Sequence, residues 1–277
     1  MKKNFLSIII LSAALNISLP AQENNFFDRF ENTSENITGA LRSVVNWYDV
    51  PIGAAYLYRN YINKQFAISP SSFERNFSQT NGINGRESFG SIDKNIFPRT
   101  VFYSRFFITA SLNIFTDAEI TQEDYKRIFL FEKSIIYTYT ITEIVKNLTQ
   151  RERPDGSDNK SFFSGHASTT FAASTFLFLE LNDLYNEWDL TKDNPFLKTT
   201  FNAVSFSALY GWAGYVGYSR IRDKKHYVSD VVTGAAVGTL ISMFVYNNCC
   251  GSNDGFLRHL NFFTGEKSLG MSLNVKF

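Results

Sequence analysis

Hydrophobic residues recur at helical spacing over most of the chain, in five long segments separated by polar or proline-containing breaks. The segments cover residues 97–115, 121–150, 164–181, 195–219 and 226–247. The second begins on Thr121-Gln-Glu-Asp124, which resembles a capping box. It must end before Pro154, because the residue preceding a proline avoids helical conformation. Asn194 and Pro195 supply the fourth with a side-chain cap and a proline at the first helical position. The pattern predicts an all-α fold, a helical bundle.

The first 21 residues have the pattern of a signal peptide. Lys2 and Lys3 precede an apolar stretch over residues 5–19, and the small residue Ala21 follows at a position suited to cleavage. We therefore predict a signal peptide over residues 1–21 and export to the periplasm or cell envelope, with membrane association left open. An N-terminal membrane anchor is the alternative, which the shortness of the apolar stretch disfavours.

Residues 22–95 are predicted to form a helical extension followed by a loop. Apolar residues at helical spacing mark an amphipathic helix near the start of this region, at Phe26, Phe27, Phe30, Ile37, Leu41, Val44 and Val45. Asn, Ser and Gly cluster between residues 69 and 91, which indicates a long loop. The extension therefore precedes the main run of helices.

The rest of the chain divides into a predicted helical core over residues 96–250 and a tail over residues 251–277. In the tail, apolar residues alternate with small or polar ones, at Leu269, Met271, Leu273, Val275 and Phe277. Alternation with a period of two is typical of a strand. A short C-terminal strand is one interpretation of the tail, and a loose tail is the other.

Two core segments, residues 199–219 and 231–251, are uncharged and long enough to cross a bilayer. Both are rich in Gly, Ser, Thr and Asn, however, and the mean hydropathy of the chain is −0.15. We therefore interpret them as buried helices of a soluble bundle, with membrane spans as the alternative.

Charge and cysteine content exclude several classes of protein. The chain has 27 Lys and Arg against 26 Asp and Glu, a net charge of +1, so no strong basic field indicates a nucleic-acid partner. Cys249 and Cys250 are the two cysteines, and their adjacency excludes a disulfide framework. A Cys/His zinc pattern is absent from the sequence, and no metal site is predicted.

Three polar stretches in the core carry candidate chemistry. In the first, Lys146 lies near the end of the second predicted helix and Arg153 follows just past it. Two cations near one helix end suit a bound anion. In the second, Ser164-Gly165-His166 opens the third helix, where backbone N–H groups can bind phosphate and His166 can transfer a proton near neutral pH. Taken alone, each stretch is more typical of helix capping than of a site.

The third stretch contains Arg220, His226 and Asp230. If this segment is helical, His226 and Asp230 lie on one face, four residues apart, and the carboxylate can hold one imidazole nitrogen while the other attacks. An ordinary i,i+4 pair or half of a metal site would give the same spacing. A metal site would need more ligands, and the chain has three histidines.

In this order the three stretches resemble the signature of the type 2 phosphatidic acid phosphatase superfamily, which includes bacterial nonspecific acid phosphatases and vanadium haloperoxidases. The pattern is Lys-x6-Arg-Pro, then Ser-Gly-His, then Ser-Arg-x5-His-x3-Asp, and the resemblance covers residues 97–250. One position departs from it. Phe163 stands where the family usually has proline before Ser-Gly-His, which changes the local turn but removes no chemical group.

The resemblance implies a metal-independent phosphatase with its active site at the ends of the core helices. His226 would attack phosphorus and form a phosphohistidine, and Asp230 would orient it. His166 would protonate the leaving oxygen and then activate water. The phosphoryl oxygens would be held by Lys146, Arg153, Ser164, Gly165 and Arg220. No cofactor is implied, and vanadate is expected to inhibit as a mimic of the pentacoordinate state.

The sequence leaves the substrate open between small phosphate monoesters and (pyro)phosphorylated lipids of the cell envelope. We expect a phosphorylated lipid or small phosphate ester as the partner and no nucleic acid, and the oligomeric state is not predicted. A vanadium-dependent haloperoxidase would use the same residues, but such enzymes are generally much longer. A non-catalytic envelope protein on the same fold is the other alternative, which the presence of every charged residue of the signature disfavours.

Overall fold

The computed structural model describes residues 26–83, 85, 87–93, 95–249, 260–265 and 268–273. The predicted signal peptide, residues 1–21, lies outside the described residues. The helices of the described residues are α1 (Phe26–Val44), α2 (Asp49–Tyr58), α3 (Ser72–Asn81), α4 (Phe89–Ile92), α5 (Ile96–Phe115), α6 (Gln122–Thr149), α7 (Gly165–Glu187), α8 (Pro195–Arg222) and α9 (Val228–Cys249). A short 3-10 turn, Arg59–Tyr61, follows α2.

The long helices α5 to α9 follow the five predicted segments. α6 begins behind a capping box in which Thr121 and Asp124 exchange hydrogen bonds between side chain and backbone. The side chain of Asn194 accepts a hydrogen bond from the backbone at the start of α8. α7 continues to Glu187, past its predicted end at 181, because Leu184 and Tyr185 remain buried against the bundle.

α7 lies at the centre of the bundle and packs against α6, α8 and α9. The main hydrophobic cluster joins α6, α7 and α9 to the end of α1, and its buried members are Val44, Leu130, Phe131, Ile135, Tyr137, Ala172, Ala173, Phe176, Val245 and Tyr246. Removal of this apolar surface from water is the main force that holds such helices together. The predicted helical bundle is confirmed for the part of the core that the structure describes.

Two glycines bring the backbone of α9 into direct contact with α7. A Cβ at Gly238 would lie 2.0 Å from the carbonyl oxygen of Ser168, and a Cβ at Gly234 would lie 2.6 Å from that of Ser164. Neither position has room for a side chain. The contact holds the start of α9 against the start of α7, so the second and third chemical stretches meet.

The uncharged segments within α8 and α9 are less buried than the sequence led us to expect. Val204 and Tyr218 on α8 are 61% and 54% exposed, and Val232 and Leu240 on α9 are 61% and 54% exposed. The expectation of buried helices is wrong for these outer faces, because both helices pack against the bundle on one side. Within the described residues, one helix is long and apolar enough to cross a membrane, over Val228–Asn248.

The N-terminal extension differs from its prediction in two ways. α1 is present, but of its seven apolar stripe residues Val44 alone is buried. Residues 69–91, predicted as a long loop, contain α3 and α4. α3 forms because Ser71 and Glu74 make a complete capping box, which the polar composition of the segment concealed.

The tail forms a hairpin in its described part. Strand β1 (Leu260–Gly265) pairs antiparallel with β2 (Ser268–Leu273), with Leu260 opposite Leu273 and Gly265 opposite Ser268. β2 coincides with part of the alternating pattern, whereas β1 was not predicted. Val275 and Phe277 lie outside the described residues.

Candidate active site

The three chemical stretches meet at one end of the bundle, where α6 and α8 end and α7 and α9 begin. Lys146 is on the last turn of α6, His166 on the first turn of α7, and Arg220 on the last turn of α8. The charges of Lys146 and Arg220 act on His166, and those of Lys146 and Arg153 act on His226. The structure therefore brings the predicted residues into one site.

His226 does not belong to α9, contrary to the prediction. It lies two residues before Val228, in the turn after α8. The N–H groups of Lys225 and His226 both donate to the carbonyl oxygen of Arg220, over 3.0 and 3.2 Å. The turn therefore ties the backbone of His226 to a predicted phosphate ligand, and the side chain of His226 is buried.

A backbone carbonyl, rather than Asp230, orients the imidazole. Nδ1 of His226 lies 2.6 Å from the carbonyl oxygen of Ser161 but 3.8 Å from Oδ2 of Asp230, which is too long for a hydrogen bond. Because a carbonyl can only accept, Nδ1 carries the proton and Nε2 keeps its lone pair in the neutral ring. Nε2 makes no hydrogen bond to the described residues.

His226 is uncharged at neutral pH. Burial lowers its pKa to about 4, with the nearby charges of Lys146 and Arg153 acting in the same direction and Asp230 opposing them. A neutral imidazole with an unshared electron pair on Nε2 is a nucleophile, since protonation of that nitrogen would remove the pair.

Asp230 is fully buried, and three groups hold its carboxylate. It accepts hydrogen bonds from Nη1 of Arg151, from the hydroxyl of Ser161 and, over 2.8 Å, from the N–H of Tyr227. Asp230 therefore acts on the orientation of His226 only indirectly, whereas its predicted support through charge stays a prediction. Asp230 fixes Ser161, whose carbonyl orients the ring, and supplies a negative charge nearby.

The start of α7 forms a cradle for an anion. The hydroxyl oxygen of Ser164 caps the helix by accepting from the N–H of Ala167 over 3.4 Å, and the N–H of Ser164 donates to the carbonyl oxygen of Asp230 over 2.9 Å. A Cβ at Gly165 would lie 3.2 Å from Nζ of Lys146, so the ammonium group faces the helix start. A cation beside the N–H groups of a helix N-terminus suits a phosphate.

Arg220 supplies a second cation to this cradle. It is buried, and its Nε has no hydrogen-bond partner among the described residues. Burial and the charge of Arg153 lower the pKa of Arg220 to about 10, which leaves it charged at neutral pH. A buried N–H donor without an acceptor is costly unless a ligand satisfies it. Arg153 pairs with Asp158 at 2.6 Å.

His166 faces the N-terminal extension. Its Nε2 lies 3.2 Å from the carbonyl oxygen of Ser91 on α4. Burial, followed by the charges of Arg220 and His226, lowers the pKa of His166 to about 3. His166 is therefore neutral at neutral pH.

Four residues around the site were not predicted from the sequence: Glu74, Ser91, Arg151 and Ser161. Arg151 was visible as a third cation within the first stretch, between Lys146 and Arg153. The other three are ordinary polar residues in segments that resemble loops, and their contacts cross large distances in the sequence. Ser161 also acts through its backbone, which carries no signal in the residue type.

The arrangement combines a neutral histidine that keeps a lone pair on Nε2, a second histidine and three cations around the start of a helix. Among the described side chains, no group of three or more His, Cys, Asp or Glu is placed to hold a metal ion. Such a site can bind a tetrahedral oxyanion and place a nitrogen nucleophile against it. The fold and site thus define a helical-bundle protein with a histidine-containing oxyanion site.

Comparison with known proteins gives the family. Residues 129–249 match the PAP2 superfamily, and this segment contains all eight predicted site residues. The prediction made from the order of the three motifs is therefore confirmed over these residues, where the chain is similar to the PAP2 superfamily.

Several relatives are named as phosphatases of lipids. The chain is 35% identical to Lipid A 1-phosphatase of Porphyromonas gingivalis over 35% of this chain and 18% of that protein. It is 31% identical to Lipid phosphate phosphatase 1 of Arabidopsis thaliana over 41% of each chain. The chain therefore spans less than half the length of these relatives. A transmembrane PAP2 type phosphatidylglycerolphosphate phosphatase from Bacillus subtilis has a crystal structure that aligns with a TM-score of 0.41 and 16% identity, over 80% of this chain and 96% of that one.

Proposed function

We propose that this protein is a phosphatase that hydrolyses phosphorylated lipids or small phosphate monoesters through a phosphohistidine on His226. One observation carries the proposal: Nδ1 of His226 donates to the carbonyl oxygen of Ser161 over 2.6 Å, which leaves Nε2 as the nucleophile beside the cationic cradle. A histidine held in this tautomer needs no metal to attack phosphorus.

The first half of the reaction transfers the phosphoryl group to the enzyme. Nε2 of His226 forms a bond to phosphorus while the bond from phosphorus to the leaving oxygen breaks. His166 gives that oxygen a proton. Burial and nearby cations lower the pKa of His166 to about 3. The negative charge of a bound phosphate opposes those cations and raises this pKa, so His166 takes up its proton with the substrate.

In the second half, His166 removes a proton from water, the water oxygen attacks phosphorus, and the bond from phosphorus to Nε2 of His226 breaks. Inorganic phosphate leaves, His166 releases the proton that it took from water to the solvent as its pKa falls again, and both histidines return to their starting states. Lys146, Arg153 and Arg220 carry the fixed positive charges that stabilise the equatorial oxygens in both transition states. The proposed mechanism therefore assigns a chemical step to each part of the cradle.

We place a phosphorylated lipid ahead of soluble esters as the substrate. The names of two relatives support this choice. So do the exposed apolar side chains on the outer faces of α5, α8 and α9, among them Phe107, Phe206 and Phe244 at 63%, 51% and 44%. Apolar side chains in this number suit a protein that lies against lipid. Location in the cell envelope rests on the N-terminal signal pattern.

A phosphate-release panel on the purified protein tests the proposal. It compares phosphatidate, lipid A and polyprenyl pyrophosphate in detergent micelles with p-nitrophenyl phosphate in buffer. We expect the lipids to be hydrolysed faster, vanadate to inhibit and EDTA to have no effect.

Two variants test the mechanism in the same panel. His226→Ala should lose activity and should not retain an alkali-stable, acid-labile phosphoryl label. His259→Ala, which removes a histidine outside the three motifs, is the matched control and should keep both. Full activity in His226→Ala would refute the proposed intermediate.

A further inference from the structure

Glu74, in the N-terminal extension, reaches the network that holds Asp230. It lies on α3, outside the segment that carries the family signature. Its Oε1 accepts from the N–H of Ser229 over 3.3 Å and also from the hydroxyl of that residue. Its Oε2 lies 3.2 Å from Nη2 of Arg151. One carboxylate of the extension therefore contacts both a residue beside Asp230 and a cation that binds Asp230.

Arg151 connects Glu74 with Asp230. Its side chain is almost completely buried, and its Nη1 donates to Asp230 and, over 2.8 Å, to the hydroxyl oxygen of Ser229. The guanidinium lies 4.5 Å from the centre of the Tyr227 ring. Its Nε has no hydrogen-bond partner in the described structure, so the two Nη groups and the ring fix its position. Moving Glu74 would therefore move Arg151 and its contact with Asp230.

The charge of Glu74 also sets the net charge of the cluster that it forms with Arg151 and Asp230. If Arg151 were paired with Asp230 alone, the pair would be neutral. Asp230 would then do little to stabilise a positive charge on His226. Two carboxylates around one guanidinium leave a net charge of −1, with Oδ2 of Asp230 at 3.8 Å from Nδ1 of the ring. Attack on phosphorus places positive charge on the imidazole, and a nearby negative charge stabilises it.

Glu74 is ionised at neutral pH. Burial by itself raises the pKa of the Glu74 carboxyl. The hydrogen bonds from Ser229 and from the backbone, together with the charge of Arg151, outweigh burial and lower this pKa below its ordinary value. The negative charge that the cluster needs is therefore present under the conditions of turnover.

We propose that Glu74 is a positioning residue that acts on Asp230 through Arg151. This inference rests on the proposed function, in which His226 is the nucleophile. It gives the N-terminal extension a part in catalysis, because α3 supplies the charge and the contact that hold the groups behind the nucleophile.

Glu74→Gln tests the proposal, since glutamine has nearly the same size and can also complete a capping box. The substitution removes the charge but keeps α3. We expect kcat for phosphate release to fall about tenfold, the loss typical of one charge-assisted hydrogen bond, with KM and the melting temperature close to wild type. In an Asp230→Asn background the same substitution should cause no further loss, because its target is already neutral. Glu35→Gln, on the exposed surface of α1, is the matched control and should keep wild-type kcat.

Each outcome separates this inference from the proposed function. Full activity of His226→Ala in the same assay would overturn the proposed function itself. An inactive His226→Ala together with wild-type kcat in Glu74→Gln would overturn the role of Glu74 alone. A lower melting temperature with unchanged kcat per folded molecule would also overturn it, since Glu74 would then be purely structural. If Glu74→Gln does not fold, Arg151→Lys keeps the positive charge but cannot contact Glu74 and Asp230 through separate nitrogens, and wild-type kcat in that variant would overturn the proposal.

Discussion

Gly234 on α9 should be essential for activity because of what lies against it. A Cβ at this position would come within 2.6 Å of the carbonyl oxygen of Ser164 and 3.4 Å of its nitrogen. Ordinary contacts begin at 3.4 Å, so Gly234→Ala forces the start of α7 and the start of α9 apart by about 0.8 Å. Both neighbouring atoms belong to backbone and cannot rotate away. The displaced segment is the anion cradle at Ser164 and Gly165.

A displacement of this size should affect the rate more than the fold. Misplacing reacting groups by about 1 Å can cost about 100-fold in rate, so we expect kcat of Gly234→Ala to fall by about that factor. The crowded contact should also destabilise the protein by about 1–3 kcal/mol, the usual range for overpacking. Phosphate release at saturating substrate and thermal unfolding followed by circular dichroism measure the two effects separately.

Gly211→Ala on α8 is the matched control. A Cβ there meets nothing within 4 Å in the described part of the chain. Since alanine favours a helix over glycine, this variant should be more stable by about 0.5–1 kcal/mol and fully active. Wild-type kcat in Gly234→Ala, or an equal loss in Gly211→Ala, would show that the close approach of α7 and α9 does not set the geometry of the cradle.

Three further outcomes follow from the structure. Ser161→Ala removes the hydroxyl that donates a hydrogen bond to Asp230 but keeps the carbonyl that is hydrogen-bonded to His226. We therefore expect kcat to fall about tenfold and not to vanish. Loss of all activity would contradict this. The pKa of His226 is about 4 in the folded protein, against an ordinary value of 6.5 in the unfolded chain. Between these pH values the unfolded chain therefore binds more protons than the folded protein. Stability should therefore fall as the pH drops from 6.5 towards 4, by about 3 kcal/mol for this group, and His226→Gln should flatten the dependence in denaturant titrations. Glu180→Gln leaves the charge of Arg105 buried without its partner, and should lower the free energy of unfolding by about 3–5 kcal/mol at unchanged kcat.

The sequence by itself determined the helical core and the identity of the main site residues. Helical spacing and caps such as Thr121 with Asp124 are short-range signals, and they placed the starts of α5 to α8 within one residue of where the structure has them. The order of the three motifs predicted, without any contact being known, the family whose model matches residues 129–249. Motif residues such as His166 and Arg220 are distinctive in type, and they meet because α6 and α8 end at the same end of the bundle at which α7 and α9 begin.

Tertiary structure alone decided how those residues are held. The i,i+4 spacing of His226 and Asp230 predicted a direct contact on one helix. Instead, His226 lies in the turn after α8, where its N–H donates to the carbonyl oxygen of Arg220. The orienting group is a carbonyl, that of Ser161, 65 residues away in the chain. Every residue has such a carbonyl, so no residue type can indicate which one faces the ring. Likewise, Glu74 became part of the site because α3 docks beside the start of α9, a contact across 155 residues that local patterns cannot encode.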